Sequence, residues 1–93
     1  MNFQAMFFYV YILESENSKA LYIGYTNNLT EQIEEHNNGE NVSTKKYAPW
    51  KIVYCEACLN EKDARRRETY LKTNQGARLI KSRLKEYFYS HRS

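Results

Sequence analysis

Two short runs, Tyr9-Val10-Tyr11-Ile12-Leu13 and Leu21-Tyr22-Ile23-Gly24-Tyr25-Thr26, constrain this chain more than any other stretch. Both are rich in β-branched and aromatic residues. Glu14 to Lys19 between them is polar and reads as a turn, so the pattern predicts a β-hairpin. With Tyr11 set opposite Tyr22, Leu13 faces Ala20, Tyr9 faces Gly24, and the loop is centred between residues 16 and 17. Side chains alternate along a strand, so Tyr9, Tyr11, Tyr22 and Gly24 share one face. Phe8, Val10, Ile12, Leu21, Ile23 and Tyr25 form the other, which is ordinary core. The tyrosine face is different. It carries phenol hydroxyls beside a glycine that leaves room for close approach, although strand preference alone accounts for any single tyrosine.

Ninety-three residues make one domain with a modest core, here 1–93 with the core over about 7–87. Nine tyrosines against one proline favour an ordered, sheet-containing fold over disorder. The charge is uneven. Residues 1–60 hold 4 Lys/Arg and 7 Asp/Glu, a balance of −3, while residues 61–93 hold 10 and 4, a balance of +6. A basic half suits a polyanion partner, with a solvated helical face as the alternative. No run is long and apolar enough for a membrane span, and no signal peptide is visible.

Downstream, Asn28 is placed to cap a helix, with Glu31 reaching back to it. Leu29, Gln32, Ile33 and His36 fall on one side of that helix, and Asn37-Asn38-Gly39 stops it. Glu40 to Pro49 reads as a polar loop containing Lys45 and Lys46. Trp50 to Ala57 is a third strand. Asn60 and Asp63 open a second helix that runs to about Lys72, with Ala64, Glu68 and Leu71 on its inward stripe and Arg67 at the margin. Thr73 to Gly76 reads as a break, followed by a last amphipathic helix carrying Leu79, Ile80, Leu84, Tyr87 and Phe88. The order β-β-α-β-α-α describes an α/β domain with a three-stranded, mainly antiparallel sheet flanked by helices.

Cys55 and Cys58 form a Cys-x-x-Cys, but a zinc site needs four ligands and the only histidines are His36 and His91, neither at finger spacing. Structural thiols in a reducing cytoplasm are the plainer reading. Glu68 is the more interesting residue. A carboxylate within an apolar stripe is costly unless it is paired or binds a cation. Arg65, Arg66, Arg67 and Lys72 are the available ion-pair partners.

Taken together, Tyr9-Val10-Tyr11 and, eleven residues on from Tyr11, Tyr22-Ile23-Gly24 resemble the paired signature of the GIY-YIG nuclease superfamily. That superfamily includes homing endonucleases, the incision subunit of bacterial excision repair, some restriction enzymes and many small standalone domains. Tyr9 stands where the name has glycine, a variant usual in the standalone members. The resemblance covers about Phe7 to Tyr87. It implies the same β-β-α-β-α-α fold and a metal-dependent endonuclease acting on DNA. It also implies roles. Tyr11 or Tyr22 helps deprotonate or position the attacking water, His36 assists, and Glu68 holds one Mg²⁺ or Mn²⁺ ion. A lone carboxylate is sufficient for an ion that keeps most of its waters. For His36 the alternative is a helix C-terminal residue favoured by the dipole.

One family feature is missing. Ten residues after the tyrosine of Tyr-Ile-Gly the family has an arginine that contacts the scissile phosphate, and here that count reaches Gln32. Loss of such a charge in phosphoryl transfer costs on the order of 10³-fold. Arg65, Arg66 or Arg67 are candidates to replace it. The sequence therefore leaves two main readings. One is a DNA endonuclease in which the hydroxyls of Tyr11 and Tyr22, Glu68 and Gln32 converge on one concavity. Its nucleic acid would be held by Lys45, Lys46, Arg65, Arg66, Arg67 and Lys72. The other is a catalytically inactive module that binds nucleic acid or protein. Oligomeric state is not legible.

Overall fold

In the computed structural model, residues 6–90 are described. Strand β1 spans Phe8–Ser15, β2 Leu21–Thr26 and β3 Trp50–Cys58, and the sheet order is β2-β1-β3 with both pairings antiparallel. Helix α1, Leu29–Asn37, follows the hairpin, and a short 3₁₀ turn at Lys45–Tyr47 precedes β3. Three helices follow among the described residues: α2 at Glu61–Leu71, α3 at Asn74–Arg83 and α4 at Lys85–Ser90.

The hairpin forms, but its register differs from the expectation by two residues. Tyr11 faces Gly24, Leu13 faces Tyr22 and Tyr9 faces Thr26. Turn chemistry is the cause. The Ser15 amide donates to the Ala20 carbonyl at 2.9 Å, and the Lys19 amide to the Ser15 carbonyl at 3.1 Å. The Ser15 hydroxyl accepts from the amides of Asn17 and Ser18, and Lys19 takes a left-handed φ of 66°. Ser15 therefore pairs with Ala20 and the loop is residues 16–19. Because the shift is even, no side chain changes face, and the division of the hairpin into two surfaces survives.

The two surfaces bury separate cores. Val10 and Ile12 pack with Ala64, Leu71 and Ile80 beneath the later helices. Tyr11, Leu13 and Trp50 form a second cluster covered by Leu29 and Ile33 of α1. The tyrosine face is thus not an open surface; much of it lies beneath a helix. Gly24 is needed there because the Tyr11 ring lies across it, and a Cβ at residue 24 would land on the hydroxyl end of that ring.

The caps at Asn28 and Asn60 form, each side chain accepting from a backbone amide, of Glu31 and Lys62 respectively. The break expected over Thr73 to Gly76 is shorter. Thr73 accepts from the Gly76 amide as the N-cap of α3, so residues 74–76 are already helical. The last amphipathic segment is two helices, α3 and α4, with Leu84 between them.

Candidate active site

Helix α1 lays His36 into the second core, where the imidazole is fully buried. Its Nε2 lies 2.9 Å from the Tyr11 hydroxyl and its Nδ1 2.7 Å from Thr44 Oγ1. Two clamps hold this geometry. The Asn37 side chain accepts from the Trp50 amide at 2.6 Å and donates to the Trp50 carbonyl at 3.1 Å, tying the end of α1 to the start of β3. The Trp50 indole donates to the Thr44 carbonyl at 2.9 Å, tying β3 to the preceding loop.

Tyr11 is 1% exposed. Burial foremost, then the charges of Tyr22, Glu68 and Glu35, raises its pKa well above that of an ordinary phenol. Burial also holds the His36 imidazole below its usual value. At neutral pH the phenol is protonated and the imidazole is neutral. The proton order follows from these two states. Tyr11 O–H donates to Nε2, so Nδ1 carries the ring hydrogen and donates to Thr44, whose hydroxyl points at the Asn41 carbonyl 3.5 Å away. The result is a directed chain from β1 through α1 to the loop.

Tyr22 stands beside it. Its ring meets His36 edge-on at 5.0 Å and Trp50 at 6.3 Å, and its centroid is 6.4 Å from that of Tyr11. It is half-buried, and among the described residues its hydroxyl has no hydrogen-bond partner and is not sealed from solvent. Tyr22 and Lys72 both line a hollow at the edge of β2. The Lys72 ammonium sits 3.1 Å from Glu68 Oε2, the i,i+4 pairing named as an alternative for this carboxylate. The Glu68 side chain is 21% exposed, at helical spacing from the buried Ala64 and Leu71.

Tyr11, Tyr22 and His36 therefore come together, with the Glu68 charge felt at Tyr11. A single open concavity holding both tyrosine hydroxyls does not form, because Tyr11 turns its hydroxyl inward to His36. Gln32 on the adjoining turn of α1 is half-buried, its carbonyl oxygen 3.4 Å from the Thr26 hydroxyl.

The three arginines of α2 are each engaged by an acid. Arg65 pairs with Glu61 and lies 4.3 Å from the Tyr25 ring centroid. Arg66 pairs with Asp63 at 2.6 Å, and the part-buried Arg67 with Glu56 at 3.0 Å. Lys45 and Lys46 are exposed, Lys46 resting over the Tyr47 ring. Cys55 and Cys58 are free thiols, and no group of three or more His, Cys, Asp or Glu suited to a metal occurs among the described residues. His91 lies outside them.

Sequence reasoning missed Thr44, Asn37 and Trp50 as supports of His36. Asn37 was legible only as a helix stop, and Thr44 sits in a polar loop with no periodic signal.

Comparison with known proteins adds an independent line. The GIY-YIG catalytic domain profile matches residues 7–83. A UPF0213 protein of Clostridium perfringens is 43% identical over 86 residues, covering 87% of this chain and 91% of that one. A UPF0213 protein of Pediococcus pentosaceus is 36% identical over 75 residues, covering 80% and 78%. The solution NMR structure of a UPF0213 protein from Bacillus halodurans superposes with a TM-score of 0.51 at 29% identity, covering 83% of this chain and 84% of that one.

Proposed function

This chain belongs to the GIY-YIG catalytic domain family, and from that premise we propose that it is a metal-dependent endonuclease hydrolysing phosphodiester bonds in DNA. The observation that carries the reading is the directed Tyr11–His36–Thr44 chain with Tyr22 beside it, and with Glu68 paired to the Lys72 that lines the same hollow as Tyr22. Burying a histidine and a tyrosine hydroxyl in one small core costs stability unless both are satisfied. Here both are satisfied by each other.

The tyrosines divide the work. Tyr11, with a raised pKa, stays protonated and is not available as a base; it fixes the tautomer and orientation of His36. Tyr22 carries the hydroxyl that remains free to orient water at the reacting phosphate. Glu68, with oxygen donors at a part-exposed position, would hold one Mg²⁺ or Mn²⁺, an ion that needs few protein ligands. When bound, such an ion stabilises charge on the phosphate and its leaving oxygen. Lys72 supplies positive charge on the same side as Tyr22, whereas Gln32 supplies none. Arg65, Arg66, Arg67, Lys45 and Lys46 serve binding, Arg65 and Arg66 by exchanging exposed carboxylate partners for phosphates at small cost. Among the described residues no helix is long and apolar enough to cross a membrane.

A binding module without cleavage is the second reading. It draws on Gln32 in place of a cation and on the acidic run of Glu31, Glu34 and Glu35 on the same helix. Incubation of labelled duplex, branched and single-stranded DNA with Mg²⁺, Mn²⁺ or EDTA separates the two. Cleavage that requires metal and is lost in Glu68→Ala supports the nuclease. Binding that weakens steeply with salt, with every bond intact, assigns the module.

A further inference from the structure

Strand β2 is an edge strand, paired only with β1 among the described residues. Between it and helices α2 and α3 lies a hollow of about 400 Å³ whose floor is Ile12, Ile23, Leu71 and Ile80. Lys72 and Lys81 stand on its rim with Tyr22. A second hollow, about 370 Å³, is lined by Leu21, Lys81, Lys85 and Phe88. The two share Leu21 and Lys81, so they adjoin at the start of β2 and together make a trough. Among the described residues no acidic side chain lines either hollow. Leu21 is 42% exposed, a large aliphatic group left at the surface where the trough is open.

A lysine rim alone accepts any polyanion, because phosphate contacts position a nucleic acid without selecting its form. The floor is selective. A duplex hides its base faces in the stack and offers an apolar wall nothing to bury. An unpaired strand exposes those faces beside its phosphates, which matches an apolar floor flanked by lysines. Tyr22 and Lys72 belong to this trough and to the candidate active site alike, so a strand lying along β2 leads to Glu68.

From this continuity we propose that the trough holds an unpaired strand of the DNA substrate, and that the chain therefore prefers DNA with a single-stranded stretch adjoining a duplex over plain duplex. The proposal rests on the nuclease reading and adds the class of substrate to it.

The test is fluorescence anisotropy in EDTA with a labelled flap, a single strand and a blunt duplex of matched sequence. Flap and single strand bind at least about tenfold tighter than duplex at equal salt, the equivalent of roughly one covered base. Leu21→Glu and, separately, Lys81→Glu with Lys85→Glu bring flap affinity down to the duplex level. All three positions are exposed, and circular dichroism verifies that each variant is folded. Equal affinity of the wild type for flap and duplex overturns the proposal, as does a preference that survives both sets of changes. Self-association abolished by Leu21→Glu, with no strand preference, assigns the trough to a second copy of the chain and also overturns it. The same DNAs with Mg²⁺ keep the two levels apart. Duplex and flap cut at equal rates sinks the trough and leaves the nuclease. Tight flap binding without cleavage leaves the trough and removes the nuclease.

Discussion

Strand β1 is buried on both sides, and the two sides are built for different ends. On one, Val10 and Ile12 meet Ala64, Leu71 and Ile80, with aliphatic contact the main source of cohesion. On the other, Tyr11 and Leu13 meet Trp50, with His36 and Thr44 buried among them. The first side gains stability chiefly from apolar atoms removed from water, with Glu14 at its end matched to Tyr87. The second contains polar groups that must be matched one for one, and it yields less stability for the same volume. A chain of 93 residues has little core to spare. That it commits one side of its central strand to a tyrosine–histidine–threonine chain is what favours the proposal of chemistry on this side.

The comparison breaks most visibly on the aliphatic side. Leu71→Ala, at 1% exposure, opens a cavity and is expected to cost about 2–5 kcal/mol in urea unfolding. It leaves the Tyr11–His36 hydrogen bond in place, so the His36 ring signals in NMR keep their positions while the folded fraction persists. On the polar side the loss is smaller and of another kind. Tyr11→Phe keeps the ring and strands His36 Nε2 in a dry site, at about 1–3 kcal/mol. Here the His36 signals move, which a merely volumetric change does not cause.

The dependence of stability on pH sharpens the contrast without a mutation. Burial holds His36 below its ordinary 6.5, so the unfolded chain binds that proton more readily. Its contribution is full above 6.5 and is lost as pH falls below that value toward the folded pKa. Tyr11 is raised above its ordinary 10.0, so its contribution is full below that value and is lost as pH rises past it. Denaturant midpoints across pH thus trace a plateau with a fall on each side. His36→Gln reduces the acid side without abolishing it, because Glu61 is held below its ordinary value by its hydrogen bonds from Tyr25 and Arg65. Tyr11→Phe reduces the alkaline side without abolishing it, because Tyr25, Tyr54 and Tyr87 are also raised. Leu71→Ala lowers the whole curve and leaves its shape.

Much of this was legible in the chain itself. Alternation assigned every hairpin side chain to its correct face, and the asparagine caps marked the starts of α1 and α2. What sequence reasoning misplaced traces to particular side chains. Ser15 reads as part of a polar turn, yet it is wholly buried, and its hydroxyl both gathers the turn amides and donates to the Tyr47 carbonyl at 2.7 Å. That single residue moved the register by two. Thr73 reads as a breaker and is instead a cap. Glu14 ends an apolar run and is buried, accepting from Tyr87, a contact across most of the chain that no local pattern encodes. The pairings of Arg65 and Arg66 follow from helical spacing, while that of Arg67 with Glu56 on β3 needed the fold.

Tyr22 offers the most direct test of the division between the two sides. Its hydroxyl has no partner among the described residues, so Tyr22→Phe removes nothing that holds the fold together. Cleavage of a labelled flap in Mg²⁺ under single-turnover conditions, measured alongside the urea midpoint, reads chemistry and stability on the same variant. The account predicts a midpoint unchanged from wild type and a cleavage rate lower by about 10²-fold or more, the scale of a positioned acid–base group. Cleavage at the wild-type rate by Tyr22→Phe would contradict it.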